Sequence, residues 1–167
     1  MANQRAQIVM EHDEVVDFLH QQRSSTVATI GPQGQVHLVA MWYAVLDQHV
    51  WIETKRKSQK VANLRRDPRM SFLVETGNTY DQLRGVALEG RGEVVDDEAV
   101  VWDVCVNIFE RYNAPYTEEL KPFVELMAHN RVAVRLDVDR TRSWDHRKLG
   151  LDPIELGGTT AGSVAQQ

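Results

Sequence analysis

Thr54, Ser58 and Lys60 stand close together where an apolar, alternating stretch gives way to a helical one. Two hydroxyls and an ammonium at a strand-to-helix junction are donors suited to an anion. A helix N-terminus adds free N–H groups and a partial positive charge, and such termini bind phosphate well. Cations there are locally unfavourable, by roughly 0.3–1 kcal/mol each when exposed. Lys55, Arg56, Lys57 and Lys60 cluster there nonetheless. An external anion resolves the conflict, which makes the junction a cradle for the phosphate of a cofactor or substrate. The same residues also read as a solvated turn whose lysines face water. Arg65, Arg66 and Arg69 lie at the far end of the helix, where cations suit the dipole. They are assigned to structure, with Asp67 pairing one of them.

The concentration is local. Seven of the 19 Lys+Arg fall between Lys55 and Arg69, yet the chain of 167 residues has a formal net charge of -5 and a pI near 5.7. General attraction to nucleic acid is therefore not expected, and no basic face interleaved with aromatics supports it. A second cationic stretch, Ser143 to Leu149 (SWDHRKL), offers Trp144 as a stacking face with His146, Arg147 and Lys148 beside it. It reads either as a cap on a cofactor edge or as an anchor with Trp144 buried and Asp145 pairing Arg147. The anchor is favoured. Neither a P-loop nor a nucleophile elbow is present, and no ligand pattern for a metal is seen. The one cysteine, Cys105, allows no intrachain disulfide.

These residues must be held by a frame. Residues 12–22 form a first helix, with Val15, Val16, Leu19 and Phe18 as its apolar face. Residues 24–30 are β-rich, and Gly31-Pro32-Gln33-Gly34 is a turn. Residues 35–46 read as one long strand. Val36, Leu38, Ala40, Trp42, Ala44 and Leu46 share one face, and Val39, Met41, Tyr43 and Val45 the other. A strand apolar on both faces is expected to be covered on both. Residues 49–54 complete a hairpin, and residues 58–66 form a short helix stopped by Pro68. Strands follow at 69–75 and 82–95, with Gly85, Gly90 and Gly92 marking bulges or bends. Residues 97–112 form a helix, and Thr117 is expected to cap another. The last strand is expected over 132–138. Hairpin-linked strands with no βαβ alternation predict an α+β protein: a mostly antiparallel β-barrel with helices outside.

A β-hairpin followed by Thr54-x-x-x-Ser58-x-Lys60-x-x-Asn63-Leu64-x-x-Asp67-Pro68 resembles the pyridoxamine-5′-phosphate-oxidase-like split β-barrel superfamily, in its branch that uses flavin or deazaflavin. The likeness spans roughly residues 13–149. It implies a split-barrel cofactor-binding domain over residues 1–150, and a homodimer with the cofactor at the subunit interface. Cofactor phosphate contacts are implied for Thr54, Ser58 and Lys60, with Lys55, Lys57, Gln59 and Asn63 as weaker carry-overs. The ring is implied to lie along the preceding strand, against Ala40, Met41, Trp42 and Tyr43, partly through backbone groups. Core packing is the other reading of Met41 and Trp42. No Arg stands in VHLVAMWY, and the family's C-terminal Arg-Leu-x-Arg substrate segment is missing, so vitamin B6 oxidation is not expected. The implied activity is hydride transfer between a deazaflavin, coenzyme F(420), and an unsaturated small organic substrate. FMN is the alternative cofactor. A non-catalytic flavin- or haem-binding split barrel is the alternative role.

The remaining features set context. Hydrophobic residues at 43% and charged residues at 26% fit a globular chain. A flexible tail is expected over residues 151–167. No apolar signal segment or membrane span is apparent, and cytoplasmic location is the expectation.

Overall fold

The computed structural model describes residues 4–166; residues 1–3 of the expected domain and Gln167 of the expected tail lie outside them. A single turn, α1 (Gln4–Gln7), precedes α2 (His12–Gln21), whose start is closed by a reciprocal capping box between Glu11 and Glu14. Then come β1 (Ser25–Ile30), β2 (Val36–Met41), β3 (Ala44–Leu46) and β4 (His49–Lys55). They are followed by α3 (Gln59–Arg66), β5 (Arg69–Thr76), β6 (Arg84–Val95) and α4 (Glu98–Tyr112). The chain finishes with α5 (Lys121–Ala128), β7 (Arg131–Asp145) and α6 (Ala161–Val164). The seven strands make one sheet in the order β2-β1-β5-β6-β7-β4-β3, with every neighbouring pair antiparallel.

The expected long strand over 35–46 is two strands. β2 and β3 occupy opposite edges of the sheet, although only Trp42 and Tyr43 separate them in sequence. The sheet therefore curls until its edges are joined by the chain itself, and the fold is a split β-barrel. Side-chain hydrogen bonds replace the ladder at the break. Tyr43 N donates to the Tyr112 hydroxyl at 3.1 Å, and that hydroxyl donates to Tyr43 O at 3.4 Å.

Alternation along the strands builds two cores. Val27, Tyr43, Ile52, Phe72, Val74, Val86 and Leu136 fill the barrel interior under α2. Ala44, Trp51, Val104, Cys105, Ile108, Val124 and Ala133 pack between the outer face of the β3–β4–β7 side and helices α4 and α5. The outer face of β2 is bare within one chain: Val36, Leu38 and Trp42 are 58%, 63% and 53% exposed. The expectation that both faces are covered thus holds for β3 and fails for β2 within one subunit.

β6 carries a register shift between Glu89 and Gly90, where a Cβ at Gly90 would collide with the Asp137 carbonyl. Past that bulge β7 continues to Asp145, well beyond the expected end at residue 138. Residues 138–142 are exposed on both faces, so the sequence there has no strand alternation; pairing with β6 keeps it extended. Thr117 starts a short 3-10 turn and makes no side-chain cap. The α-helix proper begins at Lys121, with Pro122 in its first turn. No helix among the described residues is long and apolar enough to cross a membrane.

Candidate functional site

β4 ends at Lys55, and the chain turns through a Ser58 N to Lys55 O bond of 2.8 Å into α3. Ser58 is the N-cap of that helix, its Oγ accepting from Val61 N. Thr54, the buried last inward residue of β4, donates from Oγ1 to Ser58 Oγ at 3.2 Å. Lys60 Nζ, one turn into the helix, donates back to Thr54 Oγ1 at 2.9 Å. The three residues expected to form the cradle are therefore in mutual contact. Among the described residues the Ser58 hydroxyl hydrogen and two of the ammonium hydrogens have no acceptor.

Electrostatics at this point is one-sided. Burial pulls the Lys60 ammonium below its ordinary pKa, and Glu53 only partly restores it. No carboxylate among the described residues lies within ion-pair distance of Lys60. Glu53 instead pairs with Arg131 at 2.9 Å on the other face of β4, and burial still pushes its carboxyl up against the pull of Arg131 and Lys60. The contact is close but poorly aligned, since Glu53 Oε2 makes no hydrogen bond. A half-buried ammonium, two converging hydroxyls and a helix N-terminus form a donor set that fits a phosphate.

The neighbouring cations divide. Lys55 and Lys57 are exposed and make no ion pair among the described residues. With His129, Arg131 and Leu126 they line a cavity of 530 Å³. Arg56 is compensated by Asp96, which also takes Arg65 at 2.9 Å. Arg66 reaches the Ile30 carbonyl, and Arg69 grips Asp67 through both carboxylate oxygens, as expected of structural cations.

Other expected site residues are placed differently. Asn63 is fully buried and donates to Thr29 Oγ1 at 3.0 Å, tying α3 to β1. It is not open to a ligand. Gln59 donates to Asn63 Oδ1 at 2.8 Å, which leaves its exposed amide partly committed. Tyr43 is fully buried, with its hydroxyl on the Leu19 and Gln22 carbonyls, and burial pushes that hydroxyl above its ordinary pKa. Its backbone N–H and C=O are also taken, so it offers a ring ligand nothing. The Met41 side chain packs against the barrel interior. Ala40 and Trp42 face outward, and the Trp42 indole is stacked on Tyr112 at 4.5 Å and 8°.

Sequence reading missed Tyr112 and Arg111, which fix this wall. Arg111 spans the Leu19 and Gln22 carbonyls and lies over the Tyr43 ring. Their partners are 68 to 92 residues away, beyond any local signal. The second cationic stretch is an anchor: Arg147 holds Asp145 at 2.5 Å, Lys148 holds Glu14 at 2.5 Å, and the Trp144 ring covers Gly85. Burial raises the Asp145 carboxyl, but the Arg147 hydrogen bonds outweigh it and hold the group below its ordinary value.

Residues 11–145, which contain the cradle and the whole sheet, match the family model described as pyridoxamine 5′-phosphate oxidase. The chain belongs to the pyridoxamine 5′-phosphate oxidase family. It is accordingly a member of the flavin-binding split-barrel superfamily. The crystal structure of a conserved hypothetical protein from Mycobacterium tuberculosis is 57% identical, with a TM-score of 0.92, covering 95% of this chain and 99% of that one. An F(420) reductase structure is 22% identical with a TM-score of 0.59, covering 75% of this chain and 93% of that one. The haem storage protein HutZ from Vibrio cholerae is 12% identical with a TM-score of 0.63, covering 80% and 96%. The last two likenesses speak to fold alone. No curated protein matches the chain.

Proposed function

We propose that the protein is an oxidoreductase that transfers a hydride between deazaflavin coenzyme F(420) and an unsaturated small organic substrate. The observation that carries this reading is the Thr54–Ser58–Lys60 cradle, short of negative charge, with the uncompensated Lys55 and Lys57 beyond it. One phosphate satisfies the cradle. An anionic tail past that phosphate accounts for the two exposed lysines, which FMN would leave to solvent. The bound coenzyme supplies the hydride chemistry, and the chain supplies grip, position and shielding. Ala40 and Trp42 would form the wall for the ring on the bare face of β2. A second subunit would close that face, giving a homodimer with the cofactor between subunits.

Family membership favours FMN as the second reading. Titration of the apo-protein with coenzyme F(420) and with FMN, at two salt concentrations, separates them. Tight, salt-sensitive binding of the deazaflavin alone is expected. Preferential FMN binding would move the protein to the flavin reading, and binding of neither would remove the cofactor role of the cradle.

A further inference from the structure

A cavity of 780 Å³ lies away from the cradle, at the opposite end of β4 beside His49. Six strand steps separate His49 from Lys55, about 20 Å. The volume falls within the ~300–1,000 Å³ typical of small-molecule sites. Its deep wall is the open mouth of the barrel: Met10, Leu19, Val50 and Leu88 belong to the interior core. Toward solvent the wall stays apolar, with Val9 and Val138 left 47% and 43% exposed.

The rim has a different character. Arg5 and Arg142 line it together with His12, His20 and His49, against Asp47 as the one carboxylate among the described lining residues. Arg5 and Arg142 also line a neighbouring cavity of 440 Å³ together. Arg142 contacts Glu89 at 3.2 Å, but that pair is solvent-exposed on both sides and weakly held. Apolar depth under a cationic rim suits a molecule with an apolar body and an anionic head.

We infer that this cavity is a second ligand site, for an amphipathic monocarboxylate whose chain enters the barrel mouth and whose carboxylate meets Arg5 and Arg142. The site is independent of the cofactor reading, since it shares no lining residue with the cradle.

Calorimetric titration of the full chain with decanoate, and with 1-decanol as the uncharged counterpart, tests it. Decanoate is expected to saturate at one per chain and to bind at least tenfold more tightly than decanol. R5Q and R142Q should each weaken decanoate several-fold. V16W, which fills the cavity, should abolish binding, and V138W, at the more exposed wall position, should do so while keeping the wild-type Tm. Coenzyme titrations of the same variants should match the wild type, which keeps a failure here distinct from a failure of the cradle. Absence of saturable decanoate binding, or binding that survives V138W, would overturn the site. Equal binding of decanol would overturn its anionic specificity.

Discussion

Lys60 concentrates the chemistry of the junction into one side chain. Its ammonium is partly desolvated and, among the described residues, touches only a hydroxyl and has no carboxylate partner. Lys60→Ala should therefore weaken cofactor binding by about 1.5–3 kcal/mol, the scale of a charged hydrogen bond. A dissociation constant equal to the wild type would remove the cradle from the binding site. Asp67 illustrates the opposite case of a charge already satisfied. Hydrogen bonds from the Arg69 side chain hold its carboxyl at about 2, below the ordinary 3.8. A depressed value means that folding favours the ionised form, so the contribution is present above the unfolded value and is lost as pH falls through about 2. The pair is exposed and screened, so the effect is small. Asp67→Asn should lower Tm at pH 7, and the gap from the wild type should narrow as pH falls toward 2. A gap of the same size at pH 7 and at pH 2 would assign the loss to something other than charge.

At the scale of elements, α3 is both a plug for the barrel end and a platform for an anion. Val61, Asn63 and Leu64 face inward, while Ser58 and Lys60 face the junction. Ser58 serves both roles, and two substitutions separate them. Ser58→Ala should cost about 1 kcal/mol in helix capping and part of the anion affinity. Ser58→Asp keeps a cap acceptor but sets a carboxylate in the cradle. Its denaturation midpoint should stay near the wild type while coenzyme binding collapses. Equal binding by both variants would leave Ser58 as a cap alone.

This junction was legible in the sequence because its spacing is local and its composition conflicts with the helix dipole. The hairpins and α4 were legible for the same reason, through alternation and helical periodicity. The break at Trp42–Tyr43 was not, because alternation runs through it without a glycine or proline, and the bonds that hold it come from Tyr112. The parity of the two faces was readable even so: Val39, Met41 and Tyr43 do share the inner face. The end of β7 was hidden because its polar residues follow neither period.

For the whole molecule, the telling surface is the outer face of β2. Val36 and Leu38 stand in water along the edge strand β2, with Trp42 exposed just past its end, a feature that soluble chains normally cover. Sedimentation at micromolar concentration should give a dimer, and Leu38→Asp should shift it to monomer while weakening coenzyme binding. A monomeric wild type would leave the stripe without its expected partner.

The seam at Trp42–Tyr43 bears on how such a chain can fold at all. β2 and β3, only two residues apart in sequence, are the farthest apart in the sheet, with the other five strands between them. Hairpins β1–β2, β3–β4 and β5–β6 can each zip up early from nearby residues. The ring cannot shut until β7, arriving last from the C-terminal side, has slotted between β6 and β4. Closure is then a late search over long chain separations, which places this barrel among slow folders, on the order of milliseconds to seconds. Until it is complete, the hinge held by Tyr112 is merely a loop between two unrelated hairpins.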